Sequence, residues 1–321
     1  MLRRTAITSQ SHNPAVASRR RFLAAAMAAP FAATIGGVAI ADDAAVNADD
    51  FDFGPFKMGV QSWTLREYDF ETALRHAADF GLGYVEFTTR HVPVSNVPSY
   101  VEGIKKQIAD AGLKPSAMGV VTFDENENKA RELFEFAKAM GLLSISANPK
   151  KSEKTFELLE KLVDEFEIPI AIHNHGPKSN FDKSAEVVEW TDGRHPLIGA
   201  CVDCGHYLRS DEKPEEIIAT LGERVFGVHL KDARTVSDSA EFAALMKSLP
   251  KNRAKRLKAE NKVMEIVGEG ELNLPAVFRS LQQVGYERPI SLEYEENPEN
   301  PLSDIAVCLT NVTNAIAEVT G

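Results

Sequence analysis

Four short apolar segments in the second half of the chain each lead directly into a residue that can bind a metal ion. They end in His173, Asp203, His229 and Glu293. A run of four or five apolar residues bounded by turn signals predicts a buried strand of a parallel sheet. In an α/β barrel the carboxyl ends of such strands meet at one face, where barrels place their chemistry. The pattern therefore predicts that two imidazoles and two carboxylates converge on one divalent cation.

The residue types in this set favour a transition metal over calcium. Imidazoles and carboxylates together suit Mn²⁺, Zn²⁺, Co²⁺ or Fe²⁺, whereas Ca²⁺ prefers oxygen ligands alone. Three or four protein ligands without a thiolate leave positions for substrate oxygens, which is typical of a catalytic site. His173 and His175 are two residues apart, so an extended backbone can place both on one side. The choice of His173 as the ligand therefore depends on the strand register.

Strands and helices are predicted to alternate along the chain. Apolar runs typical of strands precede the four metal-type residues, and four more occur earlier in the sequence. Between them lie segments with apolar residues at helical spacing, such as residues 70–80. A doubly wound open sheet is the alternative, but residues 59–64 lack the GxGxxG dinucleotide fingerprint. The predicted fold class is therefore α/β, a (β/α)8 TIM barrel in a single domain.

An export signal is predicted at the N-terminus. Ser18–Leu23 reads Ser-Arg-Arg-Arg-Phe-Leu, the form of a twin-arginine signal, and an apolar run continues to Ala41. This run ends in Ala-Ile-Ala, a small-x-small cleavage pattern. A retained membrane anchor is the alternative, but proline, glycine and many alanines make the run weakly hydrophobic. We expect residues 1–41 to be removed, residues 42–321 to form the barrel, and the mature protein to be periplasmic or secreted.

The charge balance excludes one class of partner. The formal net charge is -11, and residues 1–41 contain five arginines and no acidic residue, so their removal leaves -16. So acidic a chain argues against nucleic-acid binding, which needs clustered lysine and arginine. The expected partner is a small carbohydrate. No membrane contact is expected once the signal is removed, and an oligomer is possible.

One segment interrupts the alternation of strands and helices. Residues 233–272 separate the strand that ends near His229 from the helix predicted at Leu274. Residues 240–249 have a helical pattern, and residues 251–262 are rich in lysine and arginine. Such a segment is either a solvated insertion or a lid over the site, because loops that follow barrel strands lie on the carboxyl-end face.

Four short motifs carry a resemblance to a known family. They are Val202-Asp203-Cys-Gly-His206, Val228-His229-Leu-Lys231-Asp232, Gly268-Glu269-Gly270-Glu-Leu and Ile290-Ser-Leu-Glu293-Tyr-Glu. With these motifs the chain resembles the xylose isomerase-like TIM barrels, the sugar phosphate isomerase/epimerase group, over residues 56–319. The resemblance implies that strands five to eight supply Glu, Asp, His and Glu to one divalent ion. Asp203, His229 and Glu293 match that pattern, whereas His173 stands where the family has glutamate.

The exchange at His173 affects the chemistry that the resemblance implies. Epimerases of the family use two metal-bound glutamates on opposite faces of the substrate carbon, and only Glu293 remains of that pair. His173 is a candidate second base, although a metal-bound imidazole accepts protons poorly. Glu86, at the end of the second strand, is another candidate, and its alternative role is to pair with Arg66 or Arg90. One-sided chemistry, either isomerisation or elimination beside a carbonyl, is therefore favoured over epimerisation.

The resemblance implies a divalent-metal-dependent isomerase or epimerase that acts on a sugar or keto sugar through a metal-stabilised enediolate. The alternatives are a related keto-sugar lyase or dehydratase, a metal-dependent hydrolase and a non-catalytic sugar-binding barrel. The expected catalytic residues are Glu293, His173, Lys231 and Glu86, and the expected substrate-binding residues are His206, His175, Trp63 and Glu269. The expected metal ligands are His173, Asp203, His229 and Glu293.

Overall fold

Eight parallel strands close into a barrel in the computed structural model, which describes residues 50–321. Around the barrel the strands follow the order β1-β10-β7-β6-β5-β4-β3-β2, while β8 and β9 form a separate antiparallel pair. The strands are β1 (Met58–Gln61), β2 (Tyr84–Phe87), β3 (Lys114–Phe123), β4 (Ser144–Pro149), β5 (Ile170–His173), β6 (Ile198–Asp203), β7 (Val225–Leu230), β8 (Asp232–Thr235), β9 (Lys262–Glu265) and β10 (Ile290–Leu292). The predicted TIM barrel is confirmed.

The helices that cover the barrel mostly follow the predicted segments, because most of them have one apolar face for the core. They are α1 (Phe70–Asp79), α2 (Pro98–Asp110), α3 (Glu127–Met140), α4 (Glu153–Phe166), α5 (Ser184–Thr191), α6 (Cys204–Arg209), α7 (Pro214–Leu221), α8 (Ser239–Ser248), α9 (Lys251–Glu260), α10 (Leu274–Gln283) and α11 (Leu302–Thr320). Side-chain caps begin several of them, and Asp69 accepts a hydrogen bond from the Thr72 amide at 2.8 Å. Gly141 ends α3 with φ +73°, a conformation that glycine adopts without strain.

The core lies between the outer faces of the strands and the apolar faces of the helices. Every residue of β5 and β6 is buried, as expected for strands of a parallel barrel that are covered on both sides. Phe134, Phe156 and Phe278 from α3, α4 and α10 are fully buried against this sheet. This packing fixes the strand ends, and with them the positions of the residues that follow each strand.

The segment after β7 departs from simple alternation, as predicted, but its structure is more regular than a loop. Residues 233–272, here named the insertion arm, consist mainly of the β8–β9 pair with α8 and α9 between the two strands. The short helix α6, which directly follows β6, was not predicted from the sequence. Both α6 and the insertion arm lie at the carboxyl ends of their strands, where the candidate site is located.

The predicted export signal at residues 1–41 lies outside the residues that the structure describes, so it stays a prediction. Among residues 50–321, none of the helices combines the length and the apolar character needed to cross a membrane.

Candidate active site and metal centre

Four side chains from consecutive barrel strands converge at the carboxyl-end mouth of the barrel. One ligand atom from each of His173, Asp203, His229 and Glu293 lies within 4.8 Å of the others, and all four residues are buried. His173 Nε2 is 3.1 Å from His229 Nδ1 and 3.4 Å from Asp203 Oδ2. His229 Nδ1 is 2.8 Å from Glu293 Oε2. The structure therefore brings together the four residues that the sequence indicated as metal ligands, with His173 rather than His175 among them.

The chemistry of this cluster fits a divalent cation. His173 Nε2 and His229 Nδ1 approach each other and two carboxylates, so several lone pairs point into one small volume. Asp203 Oδ2 is buried without a hydrogen-bond partner, although Lys231 Nζ lies 3.0 Å away as an ion pair. Buried charges are costly unless they are paired or coordinate a metal. Two imidazoles and two carboxylates are a donor set that suits Zn²⁺, Mn²⁺, Co²⁺ or Fe²⁺.

Local hydrogen bonds orient Asp203 so that one oxygen remains free for a metal. The Asn174 side chain bonds the Asp203 backbone twice, with Nδ2 donating to the carbonyl at 3.1 Å and Oδ1 accepting from the amide at 3.0 Å. Asp203 Oδ1 accepts from the amide of His206 at 2.8 Å and thereby caps α6. Its other oxygen, Oδ2, faces the cluster. The same residue thus caps a helix and directs its other oxygen into the cluster.

Glu86 lies behind His229 and does not occupy the position of a second base. Its Oε2 is 2.8 Å from His229 Nε2 and accepts a hydrogen bond from Ser291 at 3.1 Å, while its Oε1 accepts one from Ser146 at 2.6 Å. Burial raises the pKa of Glu86, but the charge and hydrogen bond of His229 lower it below its usual value. A carboxylate on the far nitrogen of a ligating histidine fixes the ring and its tautomer. The contacts of Glu86 are therefore those expected of a group that orients the His229 ring.

The alternative role predicted for Glu86, an ion pair with Arg66 or Arg90, is wrong. Arg66 donates to the backbone carbonyls of Trp63 and Glu295, at 2.9 Å and 2.7 Å. Arg90 donates to the carbonyl of Arg66 at 2.8 Å. Both arginines lie at the rim of the barrel, whereas Glu86 is directed into its interior. The partner of Glu86 is therefore His229, and not an arginine that is near it in the sequence.

We expect the Glu86→Gln substitution to weaken metal binding by about 10- to 100-fold, the usual cost of losing a partner behind a ligand. The amide keeps the shape of the side chain but no longer stabilises the His229 N–H with a negative charge. Competitive titration with a metal indicator measures the affinity. Glu67→Gln, an exposed glutamate near Arg90, is the matched control and should leave the affinity unchanged. Equal affinities for Glu86→Gln and the parent protein would contradict the assigned role.

Lys231 joins three carboxylates at the edge of the cluster. Its Nζ lies 3.0 Å from Asp203 Oδ2, 2.9 Å from Glu293 Oε2 and 3.0 Å from Glu295 Oε1. Burial lowers the pKa of Lys231, but these carboxylates raise it well above its usual value. Burial likewise raises the pKa of Glu293, while the charges of Lys231 and His229 lower it to about 2. Both groups are therefore charged at neutral pH.

A cavity of about 360 Å³ opens above the cluster and is large enough for a small carbohydrate. Six of the predicted residues line it, namely Trp63, His173, His175, His206, Lys231 and Glu293. Burial and nearby positive charge lower the pKa of His206 well below its usual value, and lower that of His175 to about 3. Both imidazoles are therefore neutral groups that can hydrogen bond to hydroxyls.

Glu269 was predicted to bind substrate, but the structure does not bring it to this cavity. Its side chain is exposed in the loop after β9. The loop instead surrounds Asp232, whose carboxylate accepts backbone N–H bonds from Gly268, Gly270 and Leu272 at 2.9 to 3.0 Å. The Gly-Glu-Gly motif thus has a structural role, since a Cβ at Gly270 would lie 2.3 Å from Asp232 Oδ1.

Three further residues contribute to the site and were not assigned from the sequence. Glu295 lines the cavity and pairs with Lys231, and its two-residue spacing from Glu293 was the available signal. Arg209 is buried, contacts His206 and pairs with the half-buried Glu260, and no sequence spacing indicated these contacts.

Comparisons with known proteins agree with the fold. The family described as "Xylose isomerase-like TIM barrel" matches residues 74–310. An inosose dehydratase from Clostridium botulinum (strain Eklund 17B / Type B) is 27% identical over 151 residues, which are 45% of this chain and 47% of that protein. The chain thus spans about half the length of that curated relative.

Solved structures of low sequence identity share the fold. The probable 3-DHS dehydratase AsbF from Bacillus anthracis aligns with a TM-score of 0.60 at 16% identity, covering 81% of this chain and 99% of AsbF. The IOLI protein with a bound zinc atom aligns with a TM-score of 0.58 at 15% identity, covering 82% of this chain and 98% of IOLI.

Proposed function

The chain belongs to the xylose isomerase-like TIM barrel family, and from that premise we propose that it is a metal-dependent dehydratase of a polyhydroxylated ketone. It removes the proton beside the carbonyl of a keto sugar or cyclic keto polyol and then expels a neighbouring hydroxyl as water. The observation that carries the proposal is the position of Glu293. Its carboxylate belongs to the metal-type cluster, lines the cavity and lies 2.9 Å from the Lys231 ammonium.

The four clustered residues, His173, Asp203, His229 and Glu293, would hold the divalent cation. When bound, such a cation supplies Lewis acidity, which lowers the cost of negative charge on a substrate carbonyl oxygen. The other groups of the cavity bind and orient the substrate. Trp63 offers an aromatic face, and His175 and His206 offer neutral imidazoles to hydroxyl groups.

The proposed proton transfers use Glu293 and Lys231 in sequence. Glu293 takes the proton from the carbon beside the carbonyl, and the electron pair of that C–H bond forms a carbon–carbon double bond. The bond to the hydroxyl on the next carbon breaks, and Lys231 gives this oxygen a proton so that it leaves as water. Lys231 then regains a proton from Glu293 across their 2.9 Å contact, which restores both residues.

Elimination is favoured over epimerisation because Glu293 and Lys231, the two proposed proton-transfer groups, are close together and would act on the same face of the substrate. His173 directs Nε2 toward His229 and Asp203, so this nitrogen belongs to the metal-type cluster. Glu86 is bonded to His229 and is buried away from the cavity. Neither His173 nor Glu86, the two candidates for a second base, would therefore offer a free base to the opposite face of the substrate. The relatives in the comparisons whose names state an activity include dehydratases, which supports the same choice.

Isomerisation between an aldose and a ketose is the second candidate function. It needs the same one-sided proton removal, followed by return of the proton to the neighbouring carbon instead of loss of water. The Glu293–Lys231 pair supports this route as well, since it holds a base and an acid 2.9 Å apart.

Incubation with a panel of keto sugars and cyclic keto polyols in D₂O, with Mn²⁺ or Zn²⁺ added, tests the proposal. Dehydration should give a conjugated unsaturated ketone with ultraviolet absorbance and a mass lower by one water. Isomerisation should give deuterium at one carbon with no loss of water. Metal-free protein is the control and should be inactive. If no substrate shows proton exchange or loss of water under these conditions, the proposed function is wrong.

We also propose that the protein acts outside the cytoplasm after removal of residues 1–41. This proposal rests on the twin-arginine sequence at Ser18–Leu23 alone.

A further inference from the structure

Arg209 connects the insertion arm to the catalytic cavity through His206. It is the last residue of α6, one helical turn after His206, and only 8% of it is exposed. Arg209 Nη1 lies 2.8 Å from His206 Nδ1 and donates to the carbonyl oxygen of His175 at 3.1 Å. Both contacted residues line the cavity, whereas Arg209 lies behind them. The Arg209 guanidinium can therefore influence the cavity only through its contacts with His175 and His206.

The guanidinium decides which nitrogen of His206 carries the proton. An arginine side chain has five N–H donors and no acceptor, and it does not lose its proton in proteins. His206 Nδ1 must therefore accept, so a neutral His206 holds its proton on Nε2. That nitrogen lies 3.5 Å from Lys231 Nζ, which as an ammonium cannot accept a hydrogen bond, and 4.0 Å from Asp203 Oδ2. The Nε2–H is thus available to a substrate oxygen.

The insertion arm holds the guanidinium in this orientation. Glu260, at the end of α9, accepts from Arg209 Nε and Nη2 at 2.7 Å each, a two-pronged contact that fixes the guanidinium plane. The loop after β5 packs against the same group, since a Cβ at Gly176 would lie 3.0 Å from Arg209 Nη1. Lys262 of the arm also donates to the carbonyl of Leu208 at 2.5 Å. The arm is therefore docked directly on α6.

We propose that Arg209 and Glu260 are positioning residues that hold His206 as a hydrogen-bond donor to a substrate oxygen. Glu260 is then the residue through which the insertion arm contributes to the reaction. The expected effect of Arg209 on kcat rests on the proposed function. The tautomer of His206 does not depend on that function and can be measured without any substrate.

The direct test is ¹⁵N NMR of the histidine-labelled protein, with His206 assigned from the signals lost in His206→Gln. In the parent protein His206 should be neutral with its proton on Nε2. Arg209→Met has a similar length without donors, and it should give a mixture of tautomers or the Nδ1–H form. The proposal is overturned if the parent protein carries the proton on Nδ1, or if Arg209→Met leaves the tautomer unchanged.

Kinetics then separate positioning from general structural damage. Arg209→Met should lower kcat by about 10- to 100-fold, with bound metal unchanged because Arg209 does not touch the four clustered residues. Arg209→Lys should recover part of kcat, because lysine can still donate to Nδ1 but cannot make the two-pronged contact with Glu260. If Arg209→Lys is as impaired as Arg209→Met while both retain metal, the proposed hydrogen bond is not the cause.

Arg234→Met is the matched control, because Arg234 pairs with two glutamates of the same arm, Glu241 and Glu265, at 2.6 Å each. It should change neither the His206 tautomer nor kcat.

If Arg209→Met does not fold, Glu260→Gln serves instead and should raise the Nδ1–H fraction of His206. An unchanged His206 spectrum in Glu260→Gln would remove Glu260 from the proposal. If the parent protein is inactive on every substrate, the proposed function fails while the NMR result still decides the role of Arg209.

Discussion

Replacing Glu293 by glutamine is expected to lower kcat by at least about 1,000-fold, within the range found for loss of a positioned acid or base. The amide keeps the shape of the side chain and one oxygen for a metal, but it cannot accept the proton from the substrate carbon. It also removes a negative charge 2.9 Å from Lys231, so the proton return between the two residues is lost. Proton exchange in D₂O and the rate of water loss measure the effect.

The control for this variant is Glu299→Gln, an exposed glutamate of the loop that follows β10. It should retain full activity, and Glu293→Gln should still contain part of the metal. A Glu293→Gln protein that exchanges the substrate proton at the parent rate would show that another residue is the base. His173 would then be the first candidate, because it also lines the cavity.

Loss of the metal is expected to abolish activity and to lower thermal stability. Asp203→Asn should bind less than about 0.2 metal equivalents, because its single amide oxygen accepts from the His206 N–H and the NH₂ group, which cannot bind a metal, then faces the cluster. Asparagine remains a good N-cap for α6, so the fold should persist. Elemental analysis of protein purified without a chelator measures the metal, and the parent protein should contain about one equivalent.

The same metal should stabilise the native parent protein. A ligand present at about 1,000 times its Kd adds roughly 4 kcal/mol, which corresponds to a Tm increase of roughly 8 °C for a domain of this size. Chelation should therefore lower Tm by this amount, and Mn²⁺ or Zn²⁺ should restore both Tm and activity. Asp192→Asn, an exposed position, is the control and should respond like the parent. Full activity after complete metal removal would contradict the metal assignment.

The sequence by itself predicted the barrel and the four clustered residues. The period of the apolar residues distinguishes strands from helices, and alternation of the two permits few parallel arrangements. In a closed parallel barrel every strand ends at the same face, so a polar residue at the carboxyl end of a strand is placed without knowledge of distant contacts. Asp203, His229 and Glu293 follow this rule, and so does His173, whose choice over His175 depended on register.

Only the tertiary structure decided what surrounds the cluster. Glu86 and His229 are separated by 143 residues in the chain, and their contact depends on how the barrel closes. Closure sets which interior side chains share a layer, and the spacing of residues along the sequence does not encode this. The pairing of Lys231 with three carboxylates has the same origin.

The insertion arm shows the same division between local pattern and tertiary contact. Its helical periodicity and its place after β7 could be predicted from the sequence, because both depend on neighbouring residues in the chain. Its contact with Arg209 could not be predicted, because Arg209 and Glu260 are 51 residues apart and meet only when α9 docks on α6. The sequence thus determined which residues lie at the strand ends and cluster there, whereas long-range packing decided which other residues contact and orient them.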